Sequence, residues 1–287
     1  MLAPLLAALT LIPAHTWIRL GPVLAGSRVV WTTDGPAVYS SAPVRRLRRA
    51  GGADVTDLAA SASTIAFIQR GDLWVGPPFR SVGAARTVDV DGKTVAYAQT
   101  EVGVSRLVVG NAEVARSRDV EYSHVAVAGH YVAWIERTGL ERWPAPPSSV
   151  VVYDVAAHRV AYVLDVDELG HTVVSSLDLE PDGTVAFASD PAPAGGCDGG
   201  VAWASIAQPR PHYLTGDAIP WRVKIAAGRI AYFTRTCTAP TPFRLVVKTL
   251  ADLTLADGVT TYGGFDFDGH RLAYLRSPKE IEVTRLR

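Results

Sequence analysis

Three carboxylates and one ammonium are the best placed groups for chemistry in this chain. Asp89, Asp178 and Asp266 occupy matching positions in similar short apolar runs, and Lys224 takes that position in another. Asp91, Asp182 and Asp268 follow them, each just before a turn glycine. Titratable groups that converge in this way could bind a cation or a polar ligand, or share acid and base work. A structural role is the alternative: turn aspartates bond to nearby backbone, and Lys224 pairs with Asp178 or Asp266. Buried charges need partners, so the structural role is the expected one. The fragment Asp89 to Gly92, "DVDG", lacks the further oxygen ligands of a calcium loop, and no metal or other cofactor is expected.

Other routes to catalysis have little support. There is no G-x-S-x-G elbow and no pair of histidines at H-x-x-x-H or H-E-x-x-H spacing. Boxes of the type S-x-D-x-G are absent as well. His124 and His130 are expected to flank a hairpin turn. The two cysteines, Cys197 and Cys237, have no second Cys or His at metal-ligand spacing. In an exported chain such a pair favours a disulfide; otherwise they are two free thiols in loops.

The surrounding chain narrows the classes. Its 287 residues carry 28 basic and 28 acidic side chains, so no global field recruits nucleic acid. The most basic stretch, "VRRLRR", holds Arg45, Arg46, Arg48 and Arg49. As an outer strand it would be a solvated edge that discourages aggregation, or a weak contact for an anionic surface. The N-terminus is apolar from Leu2 to Ile12 and is followed by Pro13-Ala14. It is too short for a bilayer-spanning helix, which needs about 20 residues. It fits the core and cleavage site of a secretory signal over residues 1–14, although no Lys or Arg precedes it. Residues 15–287 are then one exported domain.

The elements that position these groups announce themselves as a repeat. An apolar–small–aromatic triplet ends at Trp31, Phe67, Tyr97, Trp134, Phe187, Tyr232 and Tyr274. Successive aromatics lie 36, 30, 37, 53, 45 and 42 positions apart, near the period of about 40–50 residues of a four-stranded propeller blade. A glycine turn precedes most copies, as in Asp91-Gly92, Asp182-Gly183 and Asp268-Gly269. Glycine accepts the positive φ of tight hairpins. Short alternating runs flank every copy, so the chain reads as an all-β, seven-bladed β-propeller of four-stranded antiparallel blades. The seventh copy ends one strand short, and an N-terminal strand, "HTWIRL" from His15 to Leu20, is expected to complete it. A two-sheet sandwich competes with this reading but leaves seven matched hairpins without a reason.

One copy carries a family resemblance. "EPDGTVAFASD", Glu180 to Asp190, followed by "RPHYLTG", resembles the PD40 repeat of TolB-like, WD40-like propellers, with its Pro-Asp-Gly turn, apolar strand and closing Leu-Thr strand. The other copies keep the glycine, the small residue and the aromatic but not the proline. The resemblance implies a propeller fold. The family's namesake has six blades and an extra N-terminal domain, against seven counted here.

Function is expected where the chain departs from its repeat. In copies four to six the links between second and third strands are long, as are the inter-blade links beside them. These segments hold Arg142, Trp143, Asp167, Glu168, His171, Trp221 and Arg235. Long loops on a rigid scaffold are where binding usually resides, and Trp beside Arg and carboxylates suits an interface hot spot. The expectation is a non-catalytic scaffold that binds a protein partner or envelope component. Two alternatives stay open: a lyase, lactonase or glycosidase at the channel mouth, or a carbohydrate-binding module using Trp143.

Overall fold

The computed structural model of the chain describes residues 6–14, 16–34, 37–41, 43–49, 54–138, 148–166, 173–190, 200–214, 222–234, 243–261 and 264–286. These form seven four-stranded antiparallel sheets, each in simple up-and-down order. Counting from the N-terminus, the innermost strands of blades one to seven are Val23–Ala25, Val55–Ala60, Thr87–Asp91, Val120–Ala128, Val173–Leu179, Val223–Ala226 and Phe265–Phe267. Each touches the innermost strand of the next blade, and the seventh touches the first. The ring is closed.

The apolar–small–aromatic triplet lies on the second strand of every blade, and period-two alternation explains its use. The small residue faces the following blade and the aromatic faces the preceding one. Ala133 of blade four and Phe187 of blade five share one buried cluster, and Ala186 of blade five shares another with Tyr232 of blade six. Ala231 meets Tyr274 in the same way, and Ala273 meets Trp31 across the seam. The small side chain leaves the space that the neighbouring ring fills. Burying one such aromatic contributes roughly 2–3 kcal/mol. Seven clusters correspond to seven blade-to-blade interfaces.

Closure uses the N-terminus, but a different piece of it from the one expected. The fourth strand of blade seven is Leu6–Pro13, antiparallel to Glu280–Leu286 with Ile12 opposite Ile281. His15–Leu20 is not that strand. The residues around it span the seam instead: Ala14 and Ile18 donate their N–H groups to Lys279 O and Pro278 O, and Arg19 donates to Thr32 O of blade one. The physical reason is apolar content. Ile12 and Ala14 are buried with Leu275 and Ile281, whereas Thr16 and Trp17 are exposed. No helix among the described residues is long and apolar enough to cross a membrane.

Candidate functional site

The innermost strands leave one edge of each blade facing the axis, where backbone N–H groups would lack partners. Carboxylates in blades three, five and seven satisfy them across the blade boundary. Asp89 Oδ2 accepts from Val127 N at 2.8 Å, Asp178 Oδ2 from Ile225 N at 2.8 Å, and Asp266 Oδ2 from Leu24 N at 2.7 Å. One level along, Asp91 accepts from Gly129 N and Glu180 from Gly228 N. Asp182 and Asp268 serve their own turns, accepting from Thr184 N and from His270 N and Arg271 N. Hydrogen bonds of this kind contribute roughly 1–3 kcal/mol each. Alternate blades thus tie the ring together.

Lys224 sits among the three inner aspartates. Its Nζ lies 3.1 Å from Asp178 Oδ1 and 3.7 Å from Asp266 Oδ1. Burial alone would lower its pKa, but the combined pull of Asp178, Asp266 and Asp89 raises it, so it stays charged. Burial pushes the Asp89 carboxyl up to about 6; Lys224 opposes that shift and Asp178 adds to it. Asp178 is likewise raised, first by burial. Asp57, which nothing in its sequence context singled out, also lines the channel and accepts from Leu58 N and Val88 N at 2.9 Å. The channel encloses about 800 Å³.

At the end where the innermost strands begin, the lining becomes mixed in charge: Arg86, Glu121, Ser123, His124, Ser176 and Arg222. Arg86 pairs with Glu121 across blades three and four. His124 does not flank a turn as expected. It lies inside the strand Val120–Ala128 at a β-bulge, with φ of 49°. Burial, reinforced by the Arg137 charge, lowers its pKa to about 4, which keeps the imidazole neutral at pH 7. Bulges are invisible to a periodicity argument, because one extra residue interrupts the alternation that the argument depends on. His130 does occupy the turn.

The expected loop-face residues Arg142, Trp143, Asp167, Glu168, His171, Trp221 and Arg235 lie outside the described residues, as do Cys197 and Cys237. The basic run is the outer strand of blade one, Arg45–Arg49. Arg45 and Arg46 are exposed. Arg48 departs from the solvated-edge expectation: its guanidinium stacks 3.7 Å over the Trp74 ring of blade two.

No family model matches the chain, and no curated protein matches it. Solved structures do. BamB from Moraxella catarrhalis is 12% identical with a TM-score of 0.52, covering 98% of this chain and 99% of its own. TolB from Acinetobacter baumannii is 12% identical with a TM-score of 0.53, covering 93% and 78%. The WD40 β-propeller domain of Doa1 is 10% identical with a TM-score of 0.64, covering 98% and 96%. Likeness at such identities establishes the β-propeller fold and nothing about chemistry.

Proposed function

We propose that the protein is an exported, non-catalytic propeller scaffold that binds a protein partner through one face of blades four to six. The observation that carries this reading is the length of the connections between second and third strands. From the strand bounds, nine residues separate Thr138 from Ser148, nine separate Asp190 from Gly200, and eight separate Thr234 from Phe243. The same link takes two or three residues in blades one, two, three and seven, as between Gln69 and Asp72. Up-and-down order brings these links and the inter-blade links out on one face, the face of the mixed-charge mouth. Trp143 and Arg142 fall in the first, Arg235 in the third, and Asp167, Glu168, His171 and Trp221 in the inter-blade links. Insertions confined to one sector of a rigid ring are what a docking surface requires. The non-catalytic part rests on the inner carboxylates, each of which already serves a neighbouring blade's amide.

Crosslinking and capture from the native cell envelope tests the reading, with Trp143→Ala as the comparison. A specific protein captured by the native chain and lost with Trp143→Ala is the expected result. Capture undiminished by the substitution removes the loop face from consideration, and recovery of glycan alone turns the reading into a carbohydrate-binding module. Export also predicts a Cys197–Cys237 disulfide, because the two cysteines fall in these links of adjacent blades. Two thiols that react with maleimide in the unreduced, denatured protein would count against both the bridge and export.

A further inference from the structure

Six buried side-chain polar atoms lack a hydrogen-bond partner among the described residues. Four of them, Ser123 Oγ, His124 Nδ1, Arg137 Nε and Ser148 Oγ, gather at the mouth end of blade four. Folded proteins rarely leave such atoms unmet, and a cluster of them asks for an explanation. Ser123 and His124 line the channel. Arg137 and Ser148 stand opposite each other on adjacent strands just behind, and Arg137 spends its Nη2 on Val174 O at 2.7 Å.

The backbone supports a built pocket. His124 keeps a left-handed conformation that is unusual for a residue with a Cβ. The innermost strands of blades two and five also bulge near this level, at Thr56 and Ser175, and both residues line the channel. Bulges re-aim side chains and cluster beside functional sites. Among the described residues at the mouth, the guanidiniums of Arg86 and Arg222 line the channel beside the carboxylates of Glu121 and Asp57, and the Arg137 guanidinium stands just behind the wall. Both carboxylates are occupied, Glu121 by Arg86 and Asp57 by two backbone amides.

We propose that the channel mouth at blade four binds an oxyanion, a carboxylate or phosphate group, through Ser123 and His124, with Arg222 and Arg137 supplying the charge. A serine hydroxyl and a neutral imidazole each offer one N–H or O–H donor, and guanidinium is the side chain best matched to carboxylate and phosphate. A cation would find both carboxylates engaged. The pocket stands on the geometry of the channel mouth and does not depend on the partner-binding reading.

The test is calorimetric titration of the full chain with inorganic phosphate and with succinate, and separately with a short peptide ending in Asp-Glu. Saturable binding of either kind is expected, weakened at least tenfold in the Ser123→Ala/Arg222→Gln double variant. Binding of the small anions alone identifies a free ligand, and binding of the peptide alone identifies an acidic group displayed by a polypeptide; both support the pocket. No binding of any probe overturns it, as does binding undiminished in a natively melting double variant. If the double variant fails to fold, the unmutated chain still decides. The His124 ring signals in an NMR titration should move with the probe that binds, and signals that stay fixed overturn the proposal.

Discussion

Lys224 holds two carboxylates of neighbouring blades at one point on the axis, so its removal leaves buried negative charge uncompensated. Lys224→Ala should cost about 3 kcal/mol of stability, read as a lower urea midpoint at pH 7. An unchanged midpoint would mean that solvent in the channel screens the pair. Asp89 gives a prediction of the opposite sense with pH. Its pKa rises from 3.8 to about 6 on folding, so the folded chain binds the proton more tightly than the unfolded one. Its contribution to stability is therefore greatest below pH 4 and is lost as pH rises through 6. Asp89→Asn keeps an acceptor for Val127 N but removes this titration. The native chain's melting temperature, relative to the variant's, should fall between pH 4 and 7; a constant difference contradicts it. Position and residue type made the inner aspartates visible in the sequence. Their task was not visible, because each one's partner amide lies in the next blade, 38 to 242 residues away.

The strand Leu6–Pro13 is the element that two readings dispute. As a leader it would be cut away after Ala14; as the last strand of blade seven it pairs along Glu280–Leu286. An apolar run of this length fits both, and periodicity alone does not separate them. A chain that begins at His15 would expose the edge of Glu280–Leu286 and lose the burial of Ile12 and Ala14 against Ile281 and Leu275. It should melt at a lower temperature than residues 1–287 and show concentration-dependent association through the open edge. Equal melting of the two forms would show that the strand contributes nothing. Intact mass of the protein from its native host then tells which form the cell keeps.

At the scale of the whole ring, stability is spread over seven similar interfaces, and blade seven, which abuts blade one, is the blade built from both ends of the chain. Among the described glycines the tightest position lies between these two blades: a Cβ on Gly264 would lie 1.9 Å from Gly21 O, and Gly21 itself has φ of +97°. Gly264→Ala should therefore force the seam apart and cost about 2 kcal/mol, measured as a lower urea midpoint. It should also raise hydrogen exchange in Phe265–Phe267 and Val23–Ala25 above that at other blade boundaries. Uniform exchange around the ring would show that the seam is no weaker than the rest.

Blade number, the apolar–small–aromatic strand of each blade and the all-β class were determined by the sequence itself, because each rests on local alternation and on turns that repeat within about 50 residues. The position of the long links was equally legible, since it is a departure from that repeat. Tertiary structure alone decided the remainder. It selected Leu6–Pro13 over His15–Leu20 as the closing strand, placed His124 on a bulge in the channel wall, and laid Arg48 over Trp74. It also set the inner aspartates to bridging neighbouring blades. Each of these depends on which residue of another blade stands opposite, and that is settled only when the ring closes.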